Sequence, residues 1–136
     1  MDATIILATA DVERGSRIAG ALSRAGFLVH HVHDGPTAAS STRAERPDFL
    51  LIELWTTGLT GFEVLDDLRA HGGCSGTRIF VLNESPDADA ALEATAAGAE
   101  AVWPASISPE EIADALLALY NAASTRENEF LPGGES

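Results

Sequence analysis

Glu53 is the first residue of this sequence whose position suggests chemistry, because it follows the four apolar residues 49–52. An unbroken apolar run that begins after Pro47 and ends before a turn containing Gly58 is typical of a strand buried on both faces. Such strands lie in the middle of parallel sheets, and open α/β sheets place their sites at the carboxyl ends of these strands. A carboxylate there costs free energy unless it is solvated or paired. Glu53 is therefore the first candidate functional residue.

Two further carboxylates, Asp11 and Glu84, follow other predicted strands, so we expect the same edge of the sheet to bring them near Glu53. Such a set is a candidate site for a divalent cation. Three carboxylates without a supporting ligand more often indicate mutual repulsion and raised pKa values. We therefore predict neither a bound metal nor another cofactor.

Three histidines, His30, His31 and His33, lie in segment 27–33. His31 and His33 share one face of a strand because side chains alternate with a period of two. The pair is a candidate for Zn²⁺ binding or for a pH-dependent site, but no cysteine or third ligand follows at a fitting spacing. We favour the interpretation of polar residues on a strand near the sheet edge.

Cys74 has no basic neighbour that would activate it and is expected to be an inert loop thiol.

Alternating strand and helix patterns divide the sequence into five strands and five helices. Apolar runs predict strands at 3–9, 27–33, 49–53, 78–82 and 101–103. Helical periodicity predicts helices opened by Asp11, at 37–44, at 61–71, at 86–97 and from a capping box at 108–111 to about Ala123. Residues 34–36 are interpreted as a turn, and residues 125–136 as a flexible tail or linker after a domain of residues 1–124. This order predicts a doubly wound parallel sheet with strand order 2-1-3-4-5.

The composition excludes several classes of function. The chain of 136 residues has a formal net charge of −13, with eight basic residues, all of them arginine, against 21 acidic ones. Neutralising nucleic-acid phosphates requires a basic face, so direct nucleic-acid binding is not expected. No apolar run is long enough to span a membrane, and the N-terminus lacks the basic region of a signal peptide. The single cysteine, Cys74, fits a reducing cytoplasm.

Several short motifs at matched spacing resemble those of a known family. They are Arg46-Pro47-Asp48 before the central strand, Gly58 and Gly61 after it, Ala97-Gly98-Ala99-Glu100 before the fifth strand, and Ser108-Pro109-Glu110-Glu111. From about residue 3 to residue 123 the sequence resembles the receiver domain of bacterial response regulators. The resemblance implies a flavodoxin-like fold and a place in two-component signalling, in which a kinase histidine passes a phosphoryl group to an aspartate beside Mg²⁺.

The sequence departs from the family at every position that carries this chemistry. The position of the metal-binding acidic pair is occupied by Thr9 and Ala10, with Asp11 one residue beyond, and the position of the acceptor aspartate is occupied by Glu53. Asn83 stands where the family has a hydroxyl residue after strand 4. Ala105 and Ser106 stand in place of the lysine and the proline that follows it, and Val102 replaces the switch aromatic. Thr9 and Ala10 supply no carboxylate for Mg²⁺, and the longer Glu53 side chain displaces its carboxylate from in-line geometry. We therefore predict a pseudo-receiver, which is not an enzyme and acts without phosphorylation.

Alternatives for Glu53 stay open at this stage. Glu53 either imitates a phosphorylated aspartate, serves as an unusual acceptor, or is a solvated relic. A more remote alternative is a small flavodoxin-like enzyme whose loop 9–15 cradles a phosphate, but that loop has a single late glycine and two acids. We also predict a hydrogen bond between Glu53 and Asn83, which end adjacent strands. Trp55 is expected to cover the pocket or to pack on the next helix.

The predicted interaction surface is the face formed by the fourth helix, the fifth strand and the fifth helix. In the fourth helix we expect Leu92, Thr95 and Ala96 to face inward, which leaves a smooth outer surface of Ala90, Ala94 and Ala97. Val102 makes the intervening strand apolar. In the last helix, Leu117 lies off the inward stripe and is expected to face solvent or a partner. The predicted occupant is another protein or a second copy of the chain; the alternative is that exposed alanines reflect helix propensity alone.

Overall fold

A computed structural model describes residues 3–54, 58, 60–71, 76–83, 88–104 and 106–130, with the backbone alone for residue 88 and residues 124–130. Strands and helices alternate along the chain: β1 (Thr4–Ala8), α1 (Val12–Arg24), β2 (Leu28–Val32), α2 (Gly35–Glu45), β3 (Phe49–Glu53), α3 (Gly61–Ala70), β4 (Arg78–Asn83), α4 (Ala88–Ala96), β5 (Ala101–Pro104) and α5 (Pro109–Phe130). All neighbouring strands are parallel and follow the order β2-β1-β3-β4-β5. The predicted fold class and strand order are confirmed.

The central strands are buried on both faces, as their unbroken apolar sequences predict. β3 pairs with β1 on one side and with β4 on the other, and its residues 49–52 are all buried. β2 lies at the edge of the described sheet, where its polar sequence is tolerated. Glu53 at the end of β3 stands opposite Leu82 of β4 in the register. The sheet thereby carries the Glu53 side chain to its carboxyl edge.

Helices cover both faces of the sheet and create two apolar layers. One layer joins α1 and α5 to the sheet through Ile18, Leu22, Ile112 and Leu116, and includes the stacked rings of Phe80 and Trp103, whose centroids are 4.8 Å apart. The other layer joins α2, α3 and α4 through Ala38, Ala39, Leu65, Leu68 and Ala94. The smaller side chains of α2 and α4 bring these helices close to the sheet.

Polar side chains define where the helices begin. The Asp34 carboxylate accepts a hydrogen bond from the Thr37 backbone N–H at 2.7 Å, so residues 35 and 36 form the first turn of α2. The predicted separate turn at 34–36 was wrong, because an aspartate before Gly-Pro serves equally well as a helix N-cap. Ser108 and Glu111 exchange reciprocal backbone hydrogen bonds of 3.1 Å at the start of α5, which confirms the predicted capping box.

The last helix is longer than predicted. α5 continues to Phe130, whereas the apolar stripe suggested an end near Ala123. Residues 124–130 include one arginine and two glutamates, which favour helix. The apolar stripe therefore predicts where α5 packs on the sheet and not where the helix ends.

The predicted orientation of α4 was also wrong. Ala94 is 1% exposed, and Ala90 and Ala97 pack partly buried against the same apolar layer, whereas Leu92 is 70% exposed. Thr95 and Ala96 are exposed as well. An alanine-rich helix gives almost no amphipathic signal, and the sheet selects the face of small side chains that allows the closest approach.

Two other predicted surface positions lie against the apolar layers. Leu117, expected to face solvent or a partner, is partly buried against the layer of α1 and α5, and Val102 is partly buried against the layer of α4. Among the described helices, none combines the length and apolar character needed to cross a membrane.

Candidate functional site

The carboxyl ends of β1, β3 and β4 bring the sequence-predicted residues together at one edge of the sheet. Thr9 follows β1 and is fully buried, Glu53 ends β3, and Asn83 ends β4 with its side chain buried. Trp55, Cys74, Glu84 and Ala105 lie outside the described residues. The site is therefore built from the β1–α1 loop and the ends of the two central strands.

The Glu53 carboxylate is held by the β1–α1 side of this edge. Its Oε1 accepts a hydrogen bond from the Ala10 backbone N–H at 2.8 Å, and its Oε2 lies 3.8 Å from Nη1 of Arg14. The two side chains are only 14% and 16% exposed, so the ion pair is screened less than a surface pair. Glu53 is thus neutralised by a cation from its own chain.

The position of Arg14 follows from the start of α1. The Asp11 carboxylate caps the helix by accepting the Arg14 backbone N–H at 3.1 Å, which places Arg14 in the first turn above the end of β3. Its second terminal nitrogen, Nη2, is buried and finds no hydrogen-bond partner among the described residues. Sequence reasoning missed Arg14, although its spacing from Asp11 was the available signal for a side chain over the site.

The predicted hydrogen bond between Glu53 and Asn83 is not among the contacts of the Glu53 carboxylate, whose described partners are Ala10 and Arg14. The longer glutamate side chain reaches across to β1, where a backbone donor and a guanidinium both stabilise its negative charge. The alternative that Glu53 is a solvated relic does not fit its low exposure and its two partners.

A second cluster lies beside this pair, at the ends of β1 and β2. Nε2 of His31 lies 2.8 Å from Oγ1 of Thr9, and the rings of His31 and His33 have centroids 4.4 Å apart. A methyl group on Gly15 of α1 would overlap both the Thr9 hydroxyl and the His31 ring. Burial, and secondarily the neighbouring His33, lower the pKa of His31. Thr9, His31 and Gly15 therefore form one close-packed unit beneath α1.

The donor set at this edge does not fit the Mg²⁺ that the family resemblance implies. Mg²⁺ prefers carboxylate oxygens in near-octahedral geometry. The Thr9 hydroxyl is engaged with His31, the Asp11 carboxylate caps α1, and the Glu53 carboxylate faces Arg14. A cation arriving here would meet an arginine already in contact with the acid. Among the described residues no group of three histidine, cysteine, aspartate or glutamate side chains is arranged to hold a metal.

Comparisons with known proteins agree with the fold and identify the family. A family model described as the response regulator receiver domain matches residues 6–117. The response regulator MprA of Mycobacterium ulcerans (strain Agy99) is 29% identical over 108 residues, which cover 79% of this chain and 46% of that protein. An uncharacterized 76.5 kDa protein in the phbC 3' region of Thiocystis violacea is 28% identical over 108 residues, 79% of this chain and 16% of that protein.

The chain therefore spans less than half the length of the curated relatives it matches. Among solved structures, the chemotaxis response regulator CheY4 of Vibrio cholerae has a TM-score of 0.79 at 21% identity, with 88% of this chain and 99% of that chain covered. That likeness shows the shared fold. The family model extends from the first strand into the last helix, and on that basis the chain belongs to the response regulator receiver domain family of two-component signalling.

Proposed function

We propose that this receiver domain signals through protein contacts without being phosphorylated. The observation that carries the proposal is the internal pairing of Glu53, the residue at the acceptor position, with Arg14 and the Ala10 backbone N–H. Phosphoryl transfer depends on a nucleophile in line with the donor and on cations that neutralise the transferred group. Here the nearby cation neutralises the acceptor itself.

The same contacts support a second candidate, in which Glu53 imitates the phosphorylated state. A permanent anion at the end of β3, fixed by one N–H donor and one guanidinium, keeps the β1–α1 loop in a single arrangement. Both candidates predict a domain whose conformation does not respond to a phosphoryl donor. They differ in whether the fixed arrangement corresponds to an active or an inactive state.

The proposed interaction surface remains the face of α4, β5 and α5, with its residues revised. Leu92, Thr95 and Ala96 form the outer side of α4, whereas Ala90, Ala94 and Ala97 support this helix from beneath. Val102 and Leu117 are half-buried at the sides of the surface. The net charge of −13 favours a protein partner or a second copy of the chain over a nucleic acid.

Intact-mass measurement after incubation with acetyl phosphate and Mg²⁺ tests the proposal. We expect the mass of the wild-type chain to stay unchanged, and Glu53→Gln to behave identically. Glu53→Asp is the informative control, because it restores the acceptor of the family while leaving Thr9 and Ala10 in place. A gain of one phosphoryl group on the wild type that Glu53→Gln abolishes would overturn the proposal and support Glu53 as an acceptor.

A further inference from the structure

A groove of about 300 Å³ lies between α3 and α4. It is lined by Phe62, Asp66 and Arg69 of α3, by Glu93 and Ala96 of α4, and by Ala97, which directly follows α4. Phe62 and Ala97 are half-buried and pack against the core, so the groove is apolar at its base and charged at its rim.

Leu92 lies on α4 beside this groove, outside its lining. It precedes Ala96 by four residues, which places both on the same side of α4. At 70% exposure it is the most exposed large apolar side chain of the described residues, ahead of Val12 and Leu28 at 61% each. Isolated exposed leucines are common, but this one adjoins a groove whose base is a phenylalanine.

The charges around the groove are predominantly negative. Glu93 stands on the rim, and α4 carries Asp89 in its first turn and no basic residue in its last turn. The one cation of the lining, Arg69, lies 3.5 Å from the Asp66 carboxylate, and both side chains are largely exposed. The whole chain adds a net charge of −13, so the field at the groove attracts cations.

We infer that the α3–α4 groove binds an amphipathic helix of a partner protein with a basic polar face. The apolar side of such a helix would cover Leu92 and Phe62, and its lysine or arginine residues would meet Glu93 and Asp66. This is helix-in-groove recognition, with charge complementarity setting orientation and encounter rate. The inference rests on the proposed function and adds to it the chemistry of the partner.

Fluorescence anisotropy with a labelled synthetic helix of leucine and lysine tests this inference on the full chain. We expect saturable binding that weakens about tenfold in Leu92→Gln, as for removal of a central apolar anchor. Glu93→Gln should weaken binding by a smaller factor and reduce its dependence on salt. The matched control is Leu28→Gln on edge strand β2, which removes an equally large exposed leucine elsewhere and should bind like the wild type.

Three outcomes would overturn the inference: no binding by the wild type, equal binding by Leu92→Gln, or equal binding of a leucine–glutamate peptide. A fourth outcome would come from analytical ultracentrifugation. If the chain forms a dimer that Leu92→Gln dissociates, the groove binds a second copy of the chain and not a partner helix. Circular dichroism establishes that each variant is folded. Repeating the titration with acetyl phosphate and Mg²⁺ separates the two proposals. If the affinity for the peptide changed with acetyl phosphate, the proposed function would be contradicted, whereas the groove would still be the binding site of the peptide.

Discussion

Two arginine–glutamate pairs lie at opposite ends of the sheet and differ in how completely they are satisfied. At the amino end, Arg78 at the start of β4 makes two hydrogen bonds of 2.7 and 2.8 Å to Glu100 and a third of 3.4 Å to the Leu119 carbonyl. The hydrogen bond to Glu100 raises the pKa of Arg78. At the carboxyl end, Arg14 and Glu53 are more buried, 3.8 Å apart, and leave one guanidinium nitrogen without a described partner.

This difference distinguishes a pair with bidentate hydrogen bonds from a pair that leaves one guanidinium nitrogen without a partner among the described residues. The exposed pair has the bidentate geometry that stabilises an ion pair with little desolvation cost. The less exposed pair combines partial desolvation with incomplete hydrogen bonding among the described residues. Under the proposed function, Arg14 supplies the positive charge that stands next to Glu53.

Replacing each arginine by methionine sharpens the comparison. We expect Arg14→Met to lower the free energy of unfolding by about 2–3 kcal/mol, because it leaves the Glu53 carboxylate buried beside a single N–H donor. Urea denaturation followed by circular dichroism measures the loss. The double variant Arg14→Met/Glu53→Gln should recover most of it. A loss below about 0.5 kcal/mol would show that the pair does not hold the loop.

Gly15 gives the second-largest expected effect. Gly15→Ala should cost about 1–2 kcal/mol, because its methyl group overlaps the Thr9 hydroxyl and the His31 ring. Gly20→Ala in the same helix is the control, since among the described residues its new methyl would meet only the end of the flexible Arg24 side chain. We expect that variant to gain about 0.5–1 kcal/mol from helix propensity. Equal effects at both glycines would mean that the packing beneath α1 is looser than described.

The exposed pair should matter less. Arg78→Met is expected to cost about 1 kcal/mol, because Arg78 and Glu100 are 32% and 40% exposed and water replaces part of the lost interaction. The same urea titration used for Arg14→Met provides the measurement. If Arg78→Met were the more damaging of the two substitutions, the distinction between the pairs would have to be reversed.

The smallest expected effect is a pH dependence from His31. Because its pKa is lowered in the folded state, the unfolded chain binds the proton first as the pH falls below the ordinary value of 6.5. Stability should therefore decrease below that pH and level off once the folded His31 is also protonated. We expect a loss of less than about 1 kcal/mol in the wild type and a flatter profile in His31→Gln.

The fold was predictable because apolar runs and helix caps report burial and chain direction directly. Leu50, Leu51 and Ile52 marked the central strand, and Ser108 with Glu111 marked a helix start. The contacts of the site were less accessible to sequence reasoning. Glu53 was identified, but its partner Arg14 was not: the spacing from Asp11 places Arg14 in the first turn of α1, but it does not tell how far the long side chain turns back over the sheet.

The prediction of which face of α4 is buried failed for a different reason. A helix built mainly of alanine can present several faces to a sheet at similar cost, and the choice depends on the neighbouring side chains in three dimensions. The exposed Leu92, which the sequence suggested would be inside, became visible only once the packing of Ala94 was known.

The helix α5 is long enough for a small tilt to move its carboxyl end by a larger distance. Its 22 residues span about 33 Å, and the Arg78 side chain bonds the Leu119 carbonyl near the midpoint of the helix. From that point to Phe130 the helix runs about 16 Å. A tilt of the helix by about ten degrees at Leu119 would displace Phe130 by about 3 Å. A small displacement of α5 at a partner contact would therefore produce a larger displacement at the carboxyl end of the helix.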